Sequence, residues 1–182
     1  MIFEYHTQNL ILKILSPTTE NAAAVLDFLN RNKDVFEPYE AARPENFYSE
    51  AYQKTLLTCE FMLISKMEML RFWVYEKKNP TQIIGTISFF HILHSVYERC
   101  ETGYKFDKQY WHKGYATEAL AFGIGLMFEE YRMHRIEAYV MESNSASIRL
   151  LKKLGFVYEG TARQSIFVHG KWEDHMHFAL LR

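Results

Sequence analysis

The chain has 182 residues, 48% hydrophobic and 24% charged, with a formal net charge of −1. That is material for one domain around one substantial core, and a second domain is not expected. The 21 lysines and arginines are scattered rather than clustered, so the long-range positive field that accompanies nucleic-acid binding is missing and no nucleic-acid partner is expected.

The N-terminal stretch MIFEYHTQNLILKIL has an acid and a histidine where a secretory signal carries basic residues. Its longest apolar run is far too short to cross a bilayer. A soluble, cytoplasmic chain with no membrane partner is the expectation. Cys59 and Cys100 lack the spacing of a metal or redox pair and are expected to be reduced and structural.

Asn9–Leu15 reads as a strand, with Ser16 and Pro17 offering the cap and first-turn chemistry of a helix that continues through TTENAAAVLDFLNRN. Asp34–Tyr52 holds two prolines and five aromatics, which break any single period, so it reads as a loop or broken helix able to line a pocket. A helix follows in YQKTLLTCEFMLIS. Next, LRFWVYEKKNPTQIIGTISFFHI reads as a hairpin turning at Asn79-Pro80, and ERCETGYKFD as a further strand. In ATEALAFGIGLMFEEY the apolar residues recur at helical spacing, with Glu118 in the first turn. RIEAYVM alternates again, Ile136, Ala138 and Val140 facing one way. SNSASIRLLKKLGF returns to helix, with Asn144 as N-cap and Gly155 as the left-handed residue past its end. The tail reads as a hairpin turning at His169-Gly170. The order β-α-α-βββ-α-β-α-ββ implies an α/β fold of the α+β type, a mixed sheet with helices on both faces.

A strand ending near Asp107, a short loop with Gly114 and Ala116, and a helix beginning there make an anion site, because the free N–H groups and the dipole of a helix start both favour negative charge. Neither GK[ST] nor G-x-G-x-x-G is present. Taken alone, Gly114 fits a plain tight turn equally well.

Four motifs in order then bear on the choice: ETGY (101–104), WHKGYATEA (111–119), NSASIRLLKKLGF (144–156) and VYEG (157–160). Together they resemble the GNAT superfamily of acyl-CoA-dependent N-acetyltransferases, most closely its RimJ/RimL-type branch. The resemblance implies a central, mostly antiparallel sheet of about seven strands with one splayed parallel pair. It implies acetyl-CoA as co-substrate, with no metal, and as acceptor an amine on a protein N-terminus, such as that of a ribosomal protein, or on a small molecule. The backbone of the loop from Trp111 through His112, Lys113, Gly114, Tyr115, Ala116 and Thr117 is expected to cradle the CoA pyrophosphate. Tyr104, Lys105 and Phe106 are expected to pair with the pantetheine arm, with Asn144, Ser147 and Lys153 contributing from the later helix. Lys113 fits a solvated loop lysine as well as a phosphate contact.

In many GNAT enzymes a tyrosine seven residues after the asparagine serves the leaving thiolate, and here that position is Leu151. The branch pattern assigns the task to Ser147, with Asn144 positioning water or the CoA arm. Glu101 is the candidate base, partial burial being expected to raise its pKa, and Glu142 or a water chain is the alternative. His175 and His177 share a strand face but have no evident third ligand, so a polar sheet face or pocket lining is expected of them rather than metal. Two classes stay open: an acetyltransferase, and a catalytically silent acyl-CoA-binding or interaction module. A homodimer is compatible with either.

Overall fold

The computed structural model describes residues 3–182. Among these residues eight strands form one sheet in the order β1-β2-β3-β4-β5-β6-β8-β7, its last two being β8 (Lys171–Leu181) and β7 (Val157–Val168), and every neighbouring pair is antiparallel except β5 (Arg99–Phe106) and β6 (Arg135–Met141). The α+β mixed architecture expected from the sequence is thus present with one strand more. The extra strand is β1 (Glu4–His6), three residues that pair with β2 (Leu10–Lys13). So short a strand carries too little alternation to declare itself.

Two layers of helix sandwich the sheet. On one face, α1 (Thr19–Arg31) and α3 (Glu50–Ser65) pack against Trp73, Tyr75 and Ile83 of β3 (Leu70–Glu76) and β4 (Asn79–Leu93), around Val25, Phe28 and Leu57. On the other, α4 (Tyr115–Glu129) and α5 (Ser145–Lys153) cover Phe72, Ile87, Phe89, Ile136 and Phe178 through Leu120, Met127 and Leu151. Gly123 of α4 lies so close to β4 that an added Cβ would sit 2.7 Å from the Phe89 ring. The alternation expected of β6 is observed, since Ile136, Ala138 and Val140 all enter this second core.

Two local readings are corrected. The cap of α1 is Thr18, whose hydroxyl accepts from the Asn21 amide at 3.2 Å, so Ser16 and Pro17 stand before the helix rather than at its start. The β3–β4 turn is Lys77-Lys78, and Asn79 is already paired with Glu76. Pro80 is tolerated there because the ladder breaks its register between Tyr75 and Glu76. Asp34–Tyr52 takes the broken-helix alternative: most of a single helical turn, α2 (Lys33–Phe36), a 3-10 turn at Glu37–Tyr39, a loop, and the start of α3, capped by Ser49. The final hairpin turns at His169 and Gly170 as read, both with positive φ, 45° and 82°. Cys59 and Cys100 are both free; burial pushes the Cys100 thiol up to about 12, which leaves it inert.

Candidate active-site groove

Strands β5 and β6 are paired only at their first three residues, from Arg99↔Arg135 to Glu101↔Glu137. Beyond that point both continue without bonding each other, to Phe106 and Met141, and the sheet parts. A groove of about 970 Å³ occupies the parting and reaches both faces of the sheet. From one side it is lined by Phe36, Tyr39 and Glu40 of the α2 region, from the other by α4 and α5 residues.

Most of the sequence-predicted site residues meet in this groove. Tyr104, Lys105 and Phe106 line it from β5, Trp111, His112, Gly114, Tyr115, Ala116 and Thr117 from the loop and the start of α4, and Asn144, Ser147 and Lys153 from α5. Lys113 does not line it: its ammonium lies over the Tyr110 ring, 4.5 Å from its centre.

The loop is held by its own chemistry. Buried Asp107 caps the turn after β5 by accepting from the Gln109 amide at 2.9 Å, and Arg31 of α1 clamps its other oxygen. The Trp111 indole N–H donates to the Phe106 carbonyl at 2.8 Å and folds the loop back over the strand end. Gly114 then takes φ 82°, the left-handed region that favours glycine, and no side chain caps α4 behind it. The first-turn N–H groups of Tyr115, Ala116 and Thr117 are therefore available to an anion in the groove. Glu118, in the same turn, accepts from Thr7, the Asn9 amide and the Asn9 side chain and anchors α4 to the β1–β2 turn. These bonds hold its carboxyl below the usual range against the opposing effect of burial.

On α5 the Asn144 side chain accepts from the Ser147 amide at 3.1 Å and is the N-cap expected of it. The Ser147 hydroxyl lies 2.7 Å from the Tyr104 hydroxyl, which also donates to the Ser147 carbonyl at 3.3 Å. Burial raises the Tyr104 pKa to about 12, so it stays a phenol at neutral pH. Leu151 is wholly buried in the core, and the phenol absent from α5 is present on β5 instead. Helical spacing could not reveal this, because the contact joins residues 43 positions apart.

Glu101 stands at the vertex of the parting, on the face of the sheet shared by Gly103 and Lys105. Its carboxylate pairs with His91 Nδ1 at 3.0 Å, its side chain stays 27% exposed, and it does not line the groove itself. The partial burial expected of it is present. The buried acid nearby is Glu137, directly opposite in the ladder, held by Arg99 at 2.8 Å and Arg135 at 2.7 Å. Glu142 is exposed. His175 is buried and lines the groove, while His177 stacks on Tyr139 with ring centres 4.6 Å apart. Among the described residues no group of three or more His, Cys, Asp or Glu is arranged to hold a metal ion, and no helix is long and apolar enough to cross a membrane.

Comparison with known proteins bears on this geometry. Residues 12–157 match the family model described as the acetyltransferase (GNAT) domain. The probable N-acetyltransferase YjcK of Bacillus subtilis (strain 168) is 35% identical over 86% of each chain. The [ribosomal protein uS5]-alanine N-acetyltransferase of Escherichia coli (strain K12) is 28% identical over 96% of this chain and 88% of its own length. Among solved structures, the ribosomal-protein-S5-alanine acetyltransferase of Vibrio fischeri superposes with a TM-score of 0.90 at 27% identity, covering 98% of this chain and 96% of its own.

Proposed function

The chain belongs to the GNAT family of acetyltransferases, and from that premise we propose that it moves an acetyl group from acetyl-CoA to a primary amine by direct attack in a ternary complex. The observation that carries this reading is the groove open to both faces of the sheet at the β5–β6 parting. A thioester can enter from the α4/α5 side and an amine from the α1/α3 side, meeting between the strands.

In this reading the N–H groups at the start of α4 hold the pyrophosphate, and left-handed Gly114 keeps the approach free of side chains. The unpaired edge of β5, Gly103 to Phe106, hydrogen-bonds the pantetheine arm as a further strand would, and one of its N–H groups faces the thioester oxygen. Such a donor stabilises the oxyanion that forms when the amine nitrogen attacks the carbonyl carbon. The C–S bond then breaks and the sulfur leaves as thiolate. The Ser147 hydroxyl donates to that sulfur, itself supported by the Tyr104 phenol 2.7 Å away. Glu101, with His91 beside it, takes the proton that the amine sheds. Protonated and bonded to each other, Ser147 and Tyr104 favour an enzyme over a silent acyl-CoA binder. The names of two relatives, both alanine N-acetyltransferases of a ribosomal protein, support a protein N-terminal amine as acceptor.

Release of free thiol from acetyl-CoA, followed over a panel of N-terminal peptides and small amines, tests this. Amine-dependent thiol release is the expected result. Binding of acetyl-CoA with release at background for every amine would leave the silent module as the better description.

A further inference from the structure

A second cavity, of about 240 Å³, lies on the α1/α3 face between those helices and strands β3, β4 and β5. It is larger than the ~150 Å³ apolar void that admits a benzene-sized guest. Its walls, however, are charged. Arg43, Arg71 and Lys105 bring three cationic groups to it, against the carboxylates of Glu60 on the wall and Glu40 at the rim.

The pairing within this cluster is incomplete. Glu40 is shared between Arg43 and Lys105. Glu60 lies 3.0 Å from Arg71 Nε without the alignment of a hydrogen bond, and the Nε atoms of Arg43 and Arg71 are both buried with no acceptor. Buried donors left unmade are unfavourable, and a protein retains them where something else completes them. Burial, and then repulsion from Arg43 and Arg71, pushes the Lys105 ammonium down to about 7, while burial raises the Glu60 carboxyl. The repulsion acting on Lys105 has the sense of a site short of negative charge, whereas the Glu60 shift comes from burial and is opposed by Arg71 and Lys105. Aromatic rings hold the guanidinium planes, Arg43 4.3 Å from the Phe47 ring centre and Arg71 5.7 Å from that of Trp73. Planar forks fixed in this way suit the two oxygens of a carboxylate.

We infer that this cavity is an anion subsite that takes a carboxylate between Arg43, Arg71 and Lys105. Lys105 lines both this cavity and the groove, and its pair with Glu40 forms the wall between them. Along β5, Lys105 is two residues from Gly103, roughly 7 Å at strand rise. A carboxylate a few bonds from an amine poised over Gly103 therefore reaches the cavity. That acceptor-borne source rests on the acetyl-transfer reading; a free small carboxylate in the same place does not.

The test is calorimetric titration of succinate into the full chain without CoA, below pH 7 where Lys105 is charged, with sodium chloride of matched ionic strength as control. Saturable binding is expected, weakened about tenfold or more in Arg71→Gln and tightened several-fold in Glu60→Gln, which removes a competing carboxylate. Opposite responses of the two variants would not follow from a purely structural cluster. Should Arg71→Gln fail to fold, the gain in Glu60→Gln decides alone. No saturable heat above the chloride control, or equal affinity in wild type and Glu60→Gln, overturns the subsite. Thiol release with Ala-Asp amide against Ala-Asn amide identifies the source: a preference of about tenfold for the aspartyl peptide that Arg71→Gln abolishes assigns it to the acceptor, and equal rates with succinate binding intact assign it to a free carboxylate. Succinate binding without thiol release from any amine would overturn the transfer reading and leave the subsite standing.

Discussion

The two faces of the sheet meet at one groove but are built by different means. On the α4/α5 face the groove is built of backbone: an uncapped helix start behind Gly114 and a strand edge freed by the parting of β5 from β6. On the α1/α3 face the groove is lined by side chains, Phe36, Tyr39 and Glu40 of the α2 region with Lys105 of β5, and behind Lys105 the second cavity adds Glu60 of α3 and Arg71 of β3. Backbone recognition suits a ligand part whose shape never varies. Side-chain recognition suits the part that differs from one acceptor to the next, because a single substitution changes the chemistry presented there.

The sharpest way to break this contrast is Gly114→Val. Its Cβ meets no protein atom within 4 Å, but it projects from a residue at φ 82°, which costs a non-glycine residue about 1–2 kcal/mol. A fall of roughly a hundredfold in CoA affinity with a modestly lowered melting temperature is expected, read by calorimetry and thermal denaturation. Near-normal CoA binding would move the cradle elsewhere.

Next in size is the hydroxyl pair. Ser147→Ala and Tyr104→Phe should each lower kcat and kcat/KM together by about ten- to a thousandfold, with the acetyl-CoA dissociation constant little changed. Because the two hydroxyls share one contact of 2.7 Å, the double variant should lose less than the product of the two. Full multiplicativity would mean that they act separately. Leu151→Tyr should not rescue Ser147→Ala, since Leu151 is wholly buried and a phenol there overpacks the core by about 1–3 kcal/mol.

Glu101→Gln tests the acceptor face. Turnover should fall several-fold, most below neutral pH where the amine is an ammonium ion needing a base, while CoA affinity holds. An unaltered pH–rate profile would remove Glu101 from the reaction.

The smallest effect concerns stability. In the folded chain Lys105 sits at about 7 against an ordinary 10.5, facing Glu40, Arg43, Glu60 and Arg71. Between those values the unfolded chain binds more protons, so this group makes stability rise as pH increases above about 7. Cys100, raised from 9.0 to about 12, acts in the opposite sense above pH 9. Lys105→Met should therefore flatten the rise of the urea midpoint between about pH 7 and 9, and an unchanged slope would show that Lys105 is not held off its ordinary titration.

The same contrast explains what the sequence made legible. The fold and the backbone half of the groove lie in contiguous stretches: Asn144 capping Ser147, Gly114 before α4 and ETGY on β5 each act within a few residues of themselves. Contacts between distant residues left no such mark. Tyr104 with Ser147, Glu137 between Arg99 and Arg135, and the Arg43–Glu60–Arg71–Lys105 cluster arise only when the sheet and helices assemble. The sequence reading makes Lys105 a neighbour of pantetheine; its backbone lies on the stretch of β5 unpaired to β6, and its side chain lines the charged cavity on the α1/α3 face. Glu101 is partly buried as expected, but its partner His91 sits at the β4–β5 register break, which no local pattern records.

Amide hydrogen exchange with and without acetyl-CoA tests the central claim, that one face binds the acyl donor through its backbone. The account predicts added protection at residues 103–106 and 112–117, with none at 43, 60 or 71 around the charged cavity. Protection concentrated around that cavity, with the start of α4 unchanged, would contradict it.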